Sequence, residues 1–200
     1  MNCSGKHAAM LATCVAAGWP VVGYLEPQHP LQVALTAAVE RLAGEPVTRV
    51  VTDGCGAPQH ALPLTALARA FSRLITAADG TPEHRVATAM REHPQLVGGA
   101  GRDVTRLMEG IPGLLAKDGA EGVYAAALPD GSAVALKIDD GAARARTPVL
   151  LAALAVLGAD VSGVTDLAAL PVLGGGEPVG SVRVAAVLSE AVLSALGRSS

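Results

Sequence analysis

Two short runs hold most of the side chains in this chain that are suited to binding a metal or moving a proton. The first run, NCSGKH at residues 2–7, contains Cys3, Lys6 and His7 at spacings of three and four. If the run opens a helix, these three side chains share one helix face. A thiol, an amine and an imidazole on one face can serve as ligands or as proton carriers.

The second run, TDGCGAP at residues 52–58, presents a thiol on a sharp turn. Cys55 stands between two glycines, two residues after Asp53. Glycine allows the backbone to turn tightly, so the Cys55 thiol can be displayed without steric shielding.

Two interpretations of these cysteines stay open at this point. Two thiols and an imidazole brought together can hold a tetrahedral zinc ion with one open position. The spacing alone supports this weakly, because the sequence contains no Cys-x-x-Cys and no His-x-x-x-His pair. Buried structural thiols are the alternative for Cys3 and Cys55. Cys14 lies about three helical turns from Cys3, roughly 16 Å along a helix, so it is predicted to be a core residue.

Other candidate groups have simpler explanations. Residues 4–6, Ser-Gly-Lys, resemble the end of a phosphate-binding loop but lack the upstream glycine and the preceding strand. The remaining histidines flank prolines or loops, which favours solvated or helix-capping roles; they are His29, His60, His84 and His93.

Lys137 is the most informative single residue outside the two runs. It lies in the apolar run AVALKI at residues 133–138, before the acidic turn Asp139 and Asp140. A lysine in an apolar strand is costly unless it is paired or faces a polar cleft. One interpretation is an outward lysine paired with a neighbouring aspartate. The other is a desolvated ammonium that activates a hydroxyl nucleophile or steadies a negative charge.

Composition limits the functional classes. The chain has 200 residues, is 50% hydrophobic and carries a net charge of −3, so it can bury a sizeable core and offers no basic surface for nucleic acid. The longest apolar run, residues 148–159, is too short to span a bilayer, and the first residues lack the pattern of an export signal. Three cysteines do not suggest a disulfide framework. We therefore expect a cytoplasmic protein, and the predominance of arginine over lysine indicates a bacterial source with high GC content.

The elements that position these residues follow from periodicity and turn signals. Helices are predicted at residues 6–17, 31–42, about 63–78, 82–93 after a Thr81 cap, 102–109 and 144–157. Strands are predicted at residues 114–117, 122–128, 132–138 and 180–187, the first three joined by Asp-Gly turns. Helices packed on an antiparallel sheet make an α+β fold, and residues 1–200 are expected to form a single domain.

Several ordered blocks resemble the asparaginase II family, the rhizobial-type L-asparaginases. They recur from residue 2 to about residue 187 and are NCSGKHAAML (2–11), Gly18-Trp-Pro, TDGCGAP (52–58), AMREHP (89–94), AKDGAEGVY (116–124) and ALKIDDG (135–141). The resemblance implies a fold like that of the serine β-lactamases. It also implies hydrolysis of L-asparagine to L-aspartate and ammonia.

The resemblance also implies roles for individual residues. Cys3, Lys6 and Cys55 match the positions at which the family can hold zinc near the substrate. Two thiolates would neutralise the charge of the metal, and a neutral lysine nitrogen can ligate it. The zinc is expected to position the substrate or stabilise the structure, and not to generate the nucleophile.

The resemblance also implies roles near the substrate for three further residues. Lys137 matches a strand lysine that faces the nucleophile, and it is predicted to be catalytic. Asp53 is predicted to bind the substrate through its amino group. His7 is predicted to be a substrate-binding residue that can also orient Lys6 or a water from outside the metal's ligand set.

The sequence departs from the family in one respect that affects function. Family members carry a nucleophilic serine, followed three residues later by a lysine, before the block that begins here at residue 2. No Ser-x-x-Lys occurs among these 200 residues. The domain is therefore expected to be incomplete at its N-terminus, and the chain alone is expected to be inactive.

Three functional interpretations follow. The first is an L-asparaginase whose nucleophile is supplied by an N-terminal segment, through a late gene start or a separate polypeptide. The second is an inactive remnant that binds zinc or an amino acid. The third is a thiol-based metalloenzyme acting on another amide. The expected partners are a small-molecule substrate and either a second copy of the chain or the N-terminal fragment.

Overall fold

The computed structural model of this protein describes residues 3–186. The chain divides into two compact units, Met1–Ala66 and Leu67–Ser200. Each unit combines helices with antiparallel strands, which confirms the α+β class. The serine β-lactamase-like arrangement stays a prediction. None of the helices in the described part of the chain is long and apolar enough to cross a membrane.

The first unit consists of two helices and a hairpin. Its elements are α1 (Ser4–Ala17), α2 (Pro30–Ala43), β1 (Arg49–Thr52) and β2 (Pro58–Ala61). The two strands pair antiparallel, with Arg49 opposite Ala61. The TDGCGAP run therefore closes the hairpin: its first and last residues pair at the strand ends, and residues 53–57 form the loop.

Local sequence signals set the end of α1 and the start of α2. α1 ends at Gly18, whose left-handed φ of 69° suits glycine. α2 begins after His29, whose ring accepts a hydrogen bond from Leu31 N, so the predicted capping role of His29 is confirmed. The apolar sides of the helices meet over a small core that contains Met10, Cys14, Leu31 and Ala57.

The second unit contains the longer run of elements. Its helices are α3 (Leu64–Ile75), whose first turn belongs to the first unit, α4 (Pro82–Glu92), α5 (Pro94–Gly98), α6 (Asp103–Gly110) and α7 (Arg146–Val156). 3₁₀ turns lie at Ala143–Ala145 and Ser162–Ala168. Its strands are β3 (Leu115–Asp118), β4 (Val123–Ala127), β5 (Ala133–Lys137), β6 (Ala169–Gly174) and β7 (Glu177–Arg183).

The three predicted central strands form one antiparallel sheet in the order β3-β4-β5, as the turn signals indicated. Its main core packs α6 and α7 against the sheet and includes Leu107, Tyr124, Leu150 and Leu154, each fully buried. The apolar faces of α6 and α7 thus pack against the sheet, as the spacing of their apolar residues predicts.

Several elements differ from the sequence-based expectation. β1, β2, α5 and β6 were not predicted, and the predicted strand at 180–187 is β7, which begins at Glu177 and ends at Arg183. Val187 lies outside the described residues. β2 and β6 each contain a proline, which argues against a central strand but is tolerated in a two-stranded hairpin. Each of these strands pairs antiparallel with its hairpin partner.

A buried ion network joins α6, α7 and the end of β3. Arg146 is only 7% exposed. Its Nη2 lies 3.0 Å from Asp118 Oδ2 and 3.3 Å from Asp103 Oδ2, and its Nη1 donates to Gly119 O at 3.0 Å. Thr147 Oγ1 donates to Asp103 Oδ2 at 2.7 Å. One guanidinium therefore holds two carboxylates and the turn that follows β3.

This network makes the stability of the fold depend on pH in the acidic range. Burial raises the pKa of Asp118, but its hydrogen bond to Lys117 and the charges of Lys117 and Arg146 outweigh burial, so the folded pKa lies below the ordinary value. A carboxyl with a lowered folded pKa contributes stability above its unfolded pKa of about 3.9, and that stability is lost as the pH falls through the folded value.

We therefore expect the free energy of unfolding in urea to fall between about pH 5 and about pH 2. Asp118→Asn is expected to lower stability at neutral pH and to flatten this acid-side slope. Equal slopes for the wild type and Asp118→Asn would contradict the role assigned to this carboxyl.

Candidate active site

The β1-β2 turn has a geometry that displays its side chains on one side. Asp53 N donates to Ala57 O at 2.8 Å, and Gly56 N donates to Asp53 O at 2.8 Å. Gly56 has φ +84°, a left-handed conformation that favours glycine. Of the two glycines that flank Cys55, Gly56 is the one whose conformation the tight turn requires.

Asp53 is the centre of the cluster. Its Oδ1 accepts a hydrogen bond from the backbone N–H of Gly54 at 2.7 Å, which fixes the carboxylate. Its Oδ2 accepts from Lys6 Nζ at 3.0 Å and from the Cys55 thiol at 3.3 Å. One carboxylate thus connects the first turn of α1 with the hairpin loop.

The two thiols complete the cluster. Cys3 is the N-cap residue of α1, and its side chain makes no capping hydrogen bond. The Sγ atoms of Cys3 and Cys55 and a carboxylate oxygen of Asp53 all lie within 4.8 Å of one another. We call Cys3, Lys6, Asp53 and Cys55 the thiol–lysine cluster.

The electrostatics of the cluster reflect its opposite charges. The hydrogen bonds from Lys6 and Cys55 hold the pKa of Asp53 below its ordinary value. Burial lowers the pKa of Lys6, but its hydrogen bonds to Asp53 and Cys55 outweigh burial and raise it. The hydrogen bond with Cys55, followed by burial, raises the pKa of the Cys3 thiol. Without a metal, the cluster is an ammonium–carboxylate pair beside two thiols.

His7 lies next to the cluster in the sequence but is held by another partner. Its Nδ1 lies 2.6 Å from Tyr24 Oη, and the two rings meet edge to face. The carbonyl of Tyr24 accepts from Nε2 of Gln32, which is buried, at 2.7 Å. The sequence did not predict the contacts of Tyr24 and Gln32, because they depend on the packing of α1 against α2.

The structure therefore brings together four of the six predicted site residues, Cys3, Lys6, Asp53 and Cys55. Cys3, the N-cap of α1, and Lys6, in its first turn, meet in the cluster, whereas His7, which was predicted to share their face, contacts Tyr24. Lys137 belongs to the second unit. It is the last residue of β5, it is exposed, and its Nζ donates to Ile138 O at 2.6 Å. The charge of Lys137 also lowers the pKa of Asp140, although less than the hydrogen bonds from Ala142 and Arg144 do.

The other cysteine and histidines largely follow expectation. Cys14 is fully buried in the core of the first unit, which confirms its prediction. His93 is exposed. His60 and His84 are neither fully solvated nor capping, because each is half-buried. His60 Nε2 lies 2.8 Å from Thr36 Oγ1, and His84 Nε2 lies 3.2 Å from a carboxylate oxygen of Asp79.

A protein-family model for L-asparaginase II matches residues 1–184. The match covers the thiol–lysine cluster, Lys137 and almost every described element of both units. The chain belongs to the L-asparaginase II family. Family membership gives it an L-asparaginase-like function of the amidohydrolase class, acting on a small-molecule substrate. A search of curated protein sequences found no match.

Proposed function

We propose that this member of the L-asparaginase II family takes part in the hydrolysis of L-asparagine to L-aspartate and ammonia, with a zinc ion held by Cys3, Lys6 and Cys55. The observation that supports the proposal is the convergence of two thiols, an amine and a carboxylate from α1 and the β1-β2 turn. This convergence lies within the segment that matches the family.

The donor set of the cluster suits zinc. Thiolates and carboxylates are ordinary zinc ligands, and three protein ligands leave a fourth position for water or substrate. Lys6 would have to give up both its proton and its contact with Asp53 in order to ligate through nitrogen. Asp53 Oδ2 is an alternative third ligand, because it already lies 3.3 Å from the Cys55 sulfur. A zinc ion bound here would supply a positive charge that orients a polar substrate.

The residues around the cluster suit an amino-acid substrate. Asp53 keeps a fixed negative charge, and a carboxylate has enough lone pairs to accept from a substrate ammonium as well as from Gly54 and Lys6. His7 is fixed by Tyr24 through one ring nitrogen, so its other nitrogen can be offered to a ligand. We propose that Asp53 binds the amino group of L-asparagine and that His7 is a substrate-binding residue beside it.

Amide hydrolysis also needs a nucleophile with a base beside it. No serine in these 200 residues is followed by a lysine three positions later. We propose that a serine from a segment outside this sequence supplies the hydroxyl. Lys137 then steadies the negative charge that develops at the serine, because its exposed side chain at the end of β5 carries an ammonium.

The first prediction follows from the missing Ser-x-x-Lys. The 200-residue chain is expected to release no ammonia from L-asparagine above the buffer rate, as measured by a coupled glutamate dehydrogenase assay. Adding the Ser-x-x-Lys segment of another family member, fused or as a separate polypeptide, is expected to give turnover. Lys137→Ala in the complemented protein is expected to abolish that turnover.

The control is the same segment with its serine replaced by alanine, which should give no ammonia. Turnover by the 200-residue chain alone would contradict the external nucleophile and would direct attention to Ser4, Thr52 and Cys55. Zinc binding without turnover in any complemented form would instead favour the alternative function, an inactive module that binds zinc or an amino acid.

A further inference from the structure

The two thiols of the cluster lie close enough to react with each other. The Sγ atoms of Cys3 and Cys55 are no more than 4.8 Å apart. A disulfide bond is about 2.05 Å long, so the sulfurs need to approach by less than about 3 Å. A change of rotamer about one Cα–Cβ bond moves a sulfur by roughly that distance.

The local backbone permits this approach. The Cys3 side chain makes no capping hydrogen bond that would hold it in place. Cys55 stands between Gly54 and Gly56 on a turn whose conformation depends on glycine. The Cys55 sulfur is in contact with Asp53, Cys3 and Lys6, and its contacts with Asp53 and Cys3 are thiol hydrogen bonds, which are weak.

Solvent reaches these two thiols and not the third. Cys3 and Cys55 are partly exposed, whereas Cys14 has no exposed surface. A dissolved oxidant therefore meets Cys3 and Cys55 first. Accessible thiols with a second thiol beside them are the arrangement in which a first oxidation product is captured as a disulfide.

We propose that Cys3 and Cys55 form a peroxide-sensitive thiol pair that closes into an intramolecular disulfide. In the first step, the thiolate of one cysteine attacks hydrogen peroxide, which forms a sulfenic acid and releases hydroxide that takes up a proton to become water. In the second step, the thiol of the other cysteine attacks that sulfur, which forms the S–S bond and releases a second water. Two thiols are oxidised and one peroxide is reduced to two waters.

The disulfide has a consequence for the site. Once both sulfurs are bonded to each other, neither is available as a thiolate ligand, so oxidation removes two ligands from the thiol–lysine cluster. This consequence rests on the proposed zinc site, but formation of the disulfide does not. Reduction by a dithiol reverses the change.

The test uses the full 200-residue chain after treatment with EDTA. The protein is incubated with a small excess of hydrogen peroxide, the remaining thiols are blocked with N-ethylmaleimide, and intact mass and digested peptides are measured. The titratable thiols of the denatured protein are expected to fall from three to one. The unblocked oxidised chain should be lighter by about 2 Da, with a linked peptide joining Cys3 to Cys55 that disappears with dithiothreitol.

Matched variants separate this reaction from general oxidation. Cys14→Ala is expected to form the same disulfide, while Cys3→Ser and Cys55→Ser are expected to gain about 16 Da or to form dimers. The wild-type rate should not depend on protein concentration, because both thiols belong to one chain. Wild-type protein that forms only dimers, a disulfide that includes Cys14, or sulfinic acid without a Cys3–Cys55 link would overturn the proposal. The wild-type peptide map decides the question even if a variant fails to fold.

Discussion

Replacing Cys3 or Cys55 by alanine is expected to lower zinc affinity by more than about 100-fold. Loss of a group that only supports a metal ligand typically costs 10–100-fold, and loss of a ligand removes both a bond and a negative charge. Zinc content by elemental analysis should be close to one equivalent in the wild type. Competition with a chromogenic chelator then gives the affinity of each variant.

The chain supplies a matched control in its third cysteine. Cys14→Ala makes the same chemical change within α1, the helix that Cys3 caps, but the Cys14 side chain is fully buried in the core of the first unit. This variant is expected to keep its zinc. Wild-type protein without zinc, in which Cys3 and Cys55 react freely with thiol reagents, would contradict the metal site.

Further variants distinguish the third ligand from its neighbours. Lys6→Met should lower affinity as strongly as Cys3→Ala if the lysine nitrogen is a ligand, and Asp53→Asn should do so if the carboxylate takes that position. His7→Ala is expected to cost about 10-fold, because its Nδ1 is held by Tyr24 and we propose that it acts beside the metal and not as a ligand. A loss for His7→Ala equal to that for Cys3→Ala would make His7 a direct ligand.

The composition of the site could be predicted from the sequence because most of its geometry is local. Cys3 and Lys6 share a helix face through their spacing of three, and the two glycines around Cys55 indicate a tight turn. The residue types alone did not show that the two runs meet. That proximity depends on the pairing of β1 with β2 and on the Lys6–Asp53 contact. The family resemblance supplied that step, and the structure is consistent with it.

The unpredicted features all depend on contacts between distant residues. β1 and β2 are four residues each, and both contain polar positions that obscure the alternation of a strand. The contact between His7 and Tyr24 requires a chain reversal after Gly18. The helix predicted at residues 144–157 includes Arg146, and the sequence pattern does not show that this arginine is buried with its partners. Asp103 lies in α6 and Asp118 at the end of β3, and no sequence pattern connects these two positions.

The network around Arg146 leads to the second large effect. Arg146→Ala is expected to lower the free energy of unfolding by about 3–5 kcal/mol, because removing one partner of a buried ion pair leaves its charged partners uncompensated. Here Asp103, whose side chain is 20% exposed, loses its ion-pair partner and keeps the Thr147 hydroxyl, whereas Asp118, which is 13% exposed, keeps its contacts with Lys117 and Arg102. The Gly119 carbonyl also loses its donor. Equilibrium unfolding in urea, followed by circular dichroism, measures the change.

Arg144 provides the comparison that separates a buried arginine from an exposed one. It lies two residues away and pairs with Asp140, but both side chains of this pair are about half exposed. Arg144→Ala is therefore expected to cost no more than about 1 kcal/mol. The loss of stability for Arg146→Lys should lie between those for Arg146→Ala and Arg144→Ala. Lysine keeps the positive charge, but it lacks the planar guanidinium that contacts both carboxylates and the Gly119 carbonyl. Combining Arg146→Met with Asp103→Asn and Asp118→Asn should recover part of the loss, since the buried negative charges are then removed with their partner. Similar small losses for Arg146→Ala and Arg144→Ala would show that the network contributes no more than surface pairs do.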